Sequence, residues 1–255
     1  MNRTERRRRR LLELITAGEE DVDVLAAAVE VSASTIRRDL AALAEDGRIT
    51  RTYGGAVPAR PLAEHPLTTR EALHRAAKAE IAERALDLVE DGDSLLLDAG
   101  STVAAFGRLL VGRRVRVVTG NMALVAPLIQ AGIEVTVLGG VVRPLSMGVV
   151  GPLAEAVLRR LTVDKAFLGA DGVVAGRGLC EARPEQSALK ELMMAQAARV
   201  VVLADASKLG MAGQPCWAPL PGAWTLVTDA QATDEQIRPF LRTAGVAVLR
   251  GPRST

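Results

Sequence analysis

Apolar positions fall into two regimes along the chain, a helical one before residue 60 and an alternation of strand-length runs and helices after residue 93. Leu11, Leu12 and Ile15 form a stripe on a first helix that is expected to end near Gly18. Val24, Leu25 and Ala28 mark a second helix, which Asp21 or Asp23 can cap. Only Glu30 and Val31 stand before Ser32, whose hydroxyl suits the N-cap of a third helix. There Ile36, Leu40 and Leu43 recur at i, i+4 and i+7 and share one buried stripe. Gly47 is placed to stop this helix. Ile49 to Tyr53 then alternates like a strand, and Gly54-Gly55 permits a tight hairpin into Ala56-Val57. Helix, helix, tight turn, helix and wing predict a winged helix-turn-helix over residues 1–57.

Pro58 to Pro66 holds three prolines and predicts a linker, taken as residues 58–74. A helical pattern runs from about Arg70 to Glu90, with Ile81, Ala85, Leu88 and Val89 on one side. Strand candidates follow at Ser94–Leu97, Val115–Val118, Glu134–Leu138, Lys165–Leu168, Val200–Leu203, Thr225–Val227 and Val246–Leu249. Their hydrophobicity is continuous rather than alternating, so both faces should be buried, as in a mostly parallel sheet with helices on each side. The expected architecture is an α/β protein of two domains, the second spanning residues 75–255. Six of these strands lead into loops rich in Gly, Asp and small hydroxyl residues: 98–102, 119–121, 139–140, 169–172, 205–208 and 228–229. In a parallel sheet such loops emerge at the carboxyl edge, where free helix amides suit a phosphate.

Composition narrows this picture. Half of the 255 residues are hydrophobic (49%), but aromatics make up only 2%, so Ala, Val, Leu and Ile must build the cores. The richest apolar stretch, Val115 to Val142, is broken by Gly, Asn, Pro, Gln and Glu, and no membrane partner is expected. Arginines at the N-terminus lack a following apolar segment of signal-peptide type, and a cytoplasmic location is expected. Cys180 and Cys216 are far apart and should be reduced thiols. With two histidines they offer no metal constellation, and no cofactor is expected.

The net charge of +2 conceals a sorted distribution. Residues 1–10 carry six arginines against Glu5 alone. Residues 11–60 carry nine acids, mostly between helices, whereas Arg37, Arg38, Arg48, Arg51 and Arg60 lie on the third helix, the wing and its exit. Ser34, Thr35, Arg37, Arg38 and Ala41 fall away from the buried stripe, a face suited to the major groove of double-stranded operator DNA. Thr35, Arg37 and Arg38 are the candidate base readers; Arg6, Arg7 and Arg51 are the candidate phosphate contacts. Asp39 is read as a structural partner of a neighbouring arginine. Of 32 basic residues only four are lysine. Lys165 and Lys208 are expected to border the strand-end loops and Lys190 to lie in the helix after Gly169; Lys78 is expected on an exposed helix side.

The stretch VSASTIRRDLAALAEDGRITRTYGGAV, residues 31–57, resembles the signature of DeoR-type bacterial transcriptional regulators. Tyr53 departs from it, since the family more often has histidine before the paired glycines. LLLDAGST, VDKAFLGADGV, GL followed by EQSALK, and VVLADASKLG resemble the sensor domain of the same family, whose GAD and ADxSK elements are similar to those of ribose-5-phosphate isomerases. The resemblance implies a regulator of carbohydrate metabolism genes, acting as a repressor and as a homo-oligomer, controlled by a phosphorylated sugar or related small phosphate. Carried over by motif, the effector contacts are Asp98, Gly100, Ser101, Thr102, Asp171, Lys190, Asp205 and Lys208. Thr119-Gly120-Asn121 departs from the family's Thr-Asn-Ser, which displaces the candidate Asn121 by one place. A competing expectation is a sugar-phosphate isomerase fused to a DNA-binding domain. The acids such isomerases carry after GAD and before the helix lysine fall here on Gly172 and Leu189, leaving Glu185 as the nearest substitute, so no enzyme is expected.

Overall fold

The computed structural model describes residues 3–16, 21–46, 48–52, 55–58 and 64–251. The N-terminal part comprises α1 (Arg3–Thr16), α2 (Val22–Ala28), α3 (Ala33–Glu45) and an antiparallel pair, β1 (Ile49–Thr52) and β2 (Gly55–Pro58). The expected helix stops at Gly18 and Gly47, Tyr53-Gly54 of the hairpin, and Arg60 lie outside the described residues. Asp21 caps α2, its carboxylate accepting from the amides of Asp23 (2.8 Å) and Val24 (3.2 Å). Ser32 caps α3 as expected, its Oγ accepting from the Thr35 amide at 3.3 Å. Leu11 and Ile15 of α1, Leu25 of α2, and Ile36, Leu40 and Leu43 of α3 close on Ile49 and Ala56 of the hairpin to form one core.

The arginine run lies within α1, and its inner side meets α3. Asp39 is buried there and accepts from Arg7 Nε at 2.5 Å and Arg8 Nε at 3.0 Å. Burial alone would raise the Asp39 carboxyl, but the hydrogen bonds from Arg7 and then Arg8 hold it below its ordinary value.

The second part opens with α4 (Leu67–Ala72) and α5 (Arg75–Leu86). It continues with β3 (Ser94–Leu97), α6 (Ser101–Arg108), β4 (Arg116–Thr119), α7 (Met122–Gln130) and β5 (Glu134–Val137). Then come β6 (Val141–Arg143), β7 (Gly148–Val150), α8 (Pro152–Leu158), β8 (Val163–Leu168), β9 (Gly172–Val174) and β10 (Gly178–Glu181). The remainder is α9 (Pro184–Ala195), β11 (Ala197–Leu203), β12 (Cys216–Ala218), β13 (Trp224–Thr228), α10 (Asp234–Leu241) and β14 (Val246–Arg250). Seven strands form one parallel sheet in the order β14-β13-β11-β8-β3-β4-β5, and they are the seven expected from the sequence.

Their unbroken hydrophobicity has the expected cause in the five inner strands, whereas the edge strands β5 and β14 are exposed or half-buried along most of their length, because each has a neighbour on one side only. Leu96, Leu168, Val202 and Leu226 pack on one face against Leu158, Met193 and Phe240 of α8, α9 and α10. Leu95, Leu97, Phe167 and Val201 pack on the other against Ile81, Phe106 and Leu128 of α5, α6 and α7.

Three features differ from the expectation. The helix expected over residues 70–90 is two helices, broken where Leu73 is extended and His74 adopts a left-handed conformation (φ 52°). Lys78, expected on an exposed face, is buried; its Nζ donates to the carbonyl oxygens of Arg70 and, at 2.6 Å, of Leu73. It satisfies carbonyls that the end of α4 leaves without helical partners. Two small antiparallel sheets, β6-β7 and β12-β10-β9, complete the domain, in strands of only three or four residues.

Candidate functional site

On α3, Ser34, Arg37 and Arg38 are exposed, as a groove-reading face requires. Thr35 is half-buried, and its Oγ1 lies 2.9 Å from the capping Ser32 Oγ. Arg6 is exposed on α1. Arg7, expected on the phosphate backbone, is instead engaged by Asp39, because the face of α1 that carries it packs on α3. The Arg51 backbone belongs to β1, and its side chain lies outside the described residues.

The chain's direction across the large sheet reverses between β3 and β8, the point at which open α/β sheets take ligands. A cavity of about 320 Å³ lies there. Of the six expected loops, the three that follow the central strands β3, β8 and β11 line it, through Gly100, Ser101 and Thr102, through Gly169 and Asp171, and through Asp205 and Lys208. Gly100 and Ser101 begin α6, whose first-turn amides point into a carboxyl-edge crevice.

Of the other three, loops 119–121 and 228–229 serve as scaffolding, and the exposed loop 139–140 lies outside the lining. Asn121, expected as a ligand contact, is fully buried: its Oδ1 caps α7 through the Ala123 amide (3.2 Å), and its Nδ2 donates to the Asp98 carbonyl (3.2 Å). Asp229 supports the lysine loop, its Oδ1 accepting from the Ala206 amide at 2.7 Å.

Asp98 also differs from the expectation. Its Oδ2 accepts from the Gly169 amide at 3.1 Å and from Lys190 Nζ, so it joins the β3 and β8 loops rather than facing the cavity. Lys190 donates as well to the Gly169 carbonyl at 2.8 Å and sits 3.2 Å from Glu181 Oε1. Asp205 lines the cavity while its Oδ1 accepts from the Ser207 amide at 3.0 Å. Lys165 faces away from this edge: at the beginning of β8 it pairs with Asp93 (2.6 Å) and Glu90 (3.2 Å), which precede β3.

Several lining groups were not expected at the site, chief among them Glu181, Arg70 and Gln186, together with Lys78, which was singled out but placed on an exposed helix side. Glu181 is buried at the end of β10 beside Lys190. Its Oε2 accepts from Gln186 Nε2 at 3.1 Å, whereas Oε1 has no hydrogen-bond donor among the described residues. Burial pushes its carboxyl up to about 8, with the nearby Asp171 and Asp98 adding to the effect and Lys190 opposing it. Burial works against the Lys190 ammonium, but Asp98 and Glu181 outweigh it and hold the lysine above its ordinary range. Burial also lowers Lys78.

The thiol of Cys180 is buried, and desolvation pushes it up to about 12. Among the described residues no three metal-ligating side chains cluster, and no helix is long and apolar enough to cross a membrane.

The two positions where an isomerase would carry acids are closed to them. A Cβ at Gly172 would stand 2.0 Å from the Met211 carbonyl oxygen, and Leu189 packs into the core beside α8. Glu185 is exposed and lies outside the cavity lining.

Comparison with known proteins agrees with this organisation. The DeoR-like helix-turn-helix domain matches residues 7–61 and the DeoR C terminal sensor domain matches residues 73–230. The transcriptional regulator GlpR of Haloferax volcanii is 33% identical over 96% of this chain and 97% of its own length. Transcriptional repressor AccR of Agrobacterium fabrum is 33% identical over 79% of this chain and 80% of its own. An L-fucose operon activator of Haemophilus influenzae is 34% identical over 75% and 78%. Among solved structures, ribose 5-phosphate isomerase A of Methanocaldococcus jannaschii aligns over 52% of this chain and 54% of its own, with 25% identity and a TM-score of 0.40. The relatives' names are those of regulators, and the domain matches cover the helix-turn-helix and the cavity-bearing sheet. This chain belongs to the DeoR family of DNA-binding transcriptional regulators.

Proposed function

We propose that the protein is a cytoplasmic repressor of carbohydrate metabolism genes whose affinity for operator DNA is set by a phosphorylated sugar or related small phosphate. The observation that carries this reading is the cavity at the β3/β8 reversal, where Arg70, Lys78, Lys190 and Lys208 converge with the first turn of α6. Glu64, Asp171, Glu181 and Asp205 line the same space, Lys78 is taken up by backbone carbonyls and Lys190 by Asp98 and Glu181. Arg70, Lys208 and the helix N-terminus are therefore the groups left to favour a phosphorylated sugar over a neutral one. Relatives named as a repressor and as a sugar-operon activator support the carbohydrate setting.

At the other end of the molecule, Arg37 and Arg38, with Ser34 and Thr35 beside them, read base edges while Arg6 and Arg51 hold phosphates. The effector acts by linkage, binding the free and DNA-bound states with different affinity; a coupling of roughly 1–3 kcal/mol suffices. One winged helix reads few base pairs, so the working form is a homo-oligomer on a repeated site.

Fluorescence anisotropy on the protein's own promoter region tests both ends. Arg37→Ala and Arg38→Ala each weaken binding by roughly 1–3 kcal/mol if they contact bases. Lys208→Ala retains operator affinity and loses the response to phosphorylated sugars. A promoter complex indifferent to every phosphorylated sugar, or arginine variants that bind as tightly as wild type, would overturn the corresponding half.

A further inference from the structure

We propose that Arg70, on the helix that leads into the sensor domain, binds the anionic group of the effector, so that occupancy of the cavity is registered on the segment preceding that domain. The inference rests on the phosphate reading above. Arg70 lies in the last turn of α4, between the stretches matched by the two family domains, residues 7–61 and 73–230. Its side chain is only 18% exposed and lines the cavity.

The other cavity cations show why Arg70 is singled out. Lys78 donates to the carbonyls of Arg70 and Leu73, and Lys190 is held by Asp98 and Gly169. Arg70 has no such partner. Its nearest acid oxygen, Asp171 Oδ1, stands 3.8 Å from NH1, beyond hydrogen-bond range. Both Nε and NH2 are buried with no acceptor, and Asp171 Oδ2 is buried with no donor.

Buried guanidinium donors are rarely left empty, and a structural Arg–Asp pair would close to a bidentate fork. An opened pair facing a cavity is a receptor geometry instead. Nε and NH2 are closed off from open space as they stand, so the guanidinium presents its two parallel N–H groups to two oxygens of a phosphate by turning toward the cavity. Lys208, whose side chain has no hydrogen bond or ion pair among the described residues, adds a point charge from the β11 loop.

α4 is fastened to the sensor domain around this arginine. Glu64 takes Arg143 in a bidentate pair (2.6 and 3.1 Å), the Leu67 amide donates to the Leu145 carbonyl at 2.8 Å, and Glu71 pairs with Arg108 at 2.6 Å. Only residues 59–63 separate this clamped segment from β2 of the wing. An anion that draws Arg70 inward therefore acts on the chain just before the sensor domain begins.

The test is calorimetric titration of the full chain, as wild type, Arg70→Gln and Arg70→Lys. The titrants are glycerol 3-phosphate, fructose 1-phosphate, fructose 6-phosphate and glucose 6-phosphate, each beside its unphosphorylated parent, with circular dichroism as a check on folding. Wild type is expected to prefer at least one phosphate ester over its parent. In Arg70→Gln that preference collapses by roughly tenfold or more, and Arg70→Lys, which keeps the charge but not the fork, is intermediate.

A structural role would weaken ester and parent alike and leave the preference standing; that result overturns the assignment while the phosphate reading survives. Equal ester binding by wild type and Arg70→Gln overturns it as well. A wild type that prefers none of the esters sinks the phosphate reading and this inference together.

Discussion

Glu181 places a pH-sensitive carboxyl in the cavity proposed to hold the effector phosphate. It faces Lys190 of α9 and shares its surroundings with Asp98 after β3, Asp171 after β8 and Gln186. Raised to about 8 by burial against the opposing pull of Lys190, it gains negative charge as pH climbs through that value. A new negative charge near a phosphate dianion repels it by at least about 1 kcal/mol at an effective dielectric near 20. Affinity for a phosphorylated effector should therefore fall at least about fivefold between pH 7 and pH 9.5. Glu181→Gln, which mimics the neutral carboxyl, should lose less over that range, keeping only the part that Lys78, lowered by burial, contributes.

The same shift bears on stability. A carboxyl raised above its unfolded value contributes stability that is fully present below about pH 4.5 and is lost as pH rises through about 8, so the melting temperature of Glu181→Gln should overtake that of wild type across this window. Parallel alkaline limbs in the two proteins would exclude Glu181 as the titrating group. The residue was hard to find in the sequence because GLCE reads as the end of a short apolar run, and only the return of α9 brings Lys190 to it. Lys190 and Lys208 were legible through the scarcity of lysine. The same signal flagged Lys78, which was set aside because the broken helix around it was not foreseen.

The clasp between α1 and α3 works at the level of elements. Asp39 lies one residue from Arg38 on the recognition helix, yet it faces inward, and through Arg7 and Arg8 it fixes the helix that carries the arginine run. Arg8 is about a third exposed, so Arg7 supplies most of the stabilisation. Asp39→Asn should cost about 1–3 kcal/mol at neutral pH, the range for hydrogen bonds to charged groups. Hydrogen exchange in the full chain would read this as faster opening of α1 and α3.

Because the folded carboxyl lies below its ordinary value, this stability is present above about pH 4 and lost as pH falls through the folded value, so the gap between wild type and variant should close in acid. Unchanged protection of both helices at pH 7 would remove the clasp from the account. Elements were legible wherever burial imposed a pattern: the stripe on α3 and the five inner strands of the sheet, with the edge strands β5 and β14 read from their apolar runs although they are largely exposed or half-buried. The short strands β6, β7, β9, β10 and β12 carry too few residues for a period. The break between α4 and α5 has no Gly or Pro to announce it, since it is stabilised by Lys78 reaching back from the next helix.

At the scale of the molecule, the distribution of exposed apolar side chains bears on self-association. Six of the twelve large hydrophobic residues exposed among the described residues fall between positions 137 and 157: Val137, Val141, Val142, Met147, Leu153 and Val157. They run from the last residue of β5, the edge strand of the large sheet, through β6 to α8. An unpaired sheet edge with a concentration of apolar side chains beyond it is a surface that monomeric proteins avoid. A second copy is the occupant that fits the homo-oligomer proposed above, since a winged helix commonly reads a repeated site with a symmetric partner and two-fold pairing buries the same patch on both chains.

Val141 (69% exposed) and Leu153 (66% exposed) are the most accessible of the six, so charges there should disturb an interface without entering either core. A Val141→Glu/Leu153→Glu double variant should elute with the light-scattering mass of a single chain where wild type is a multimer. It should also bind a full operator with a lower Hill coefficient while an isolated half-site is bound with unchanged affinity. Wild-type mass in the double variant would place the subunit contact elsewhere on the molecule, and weakened half-site binding would show that the substitutions act on folding rather than on assembly.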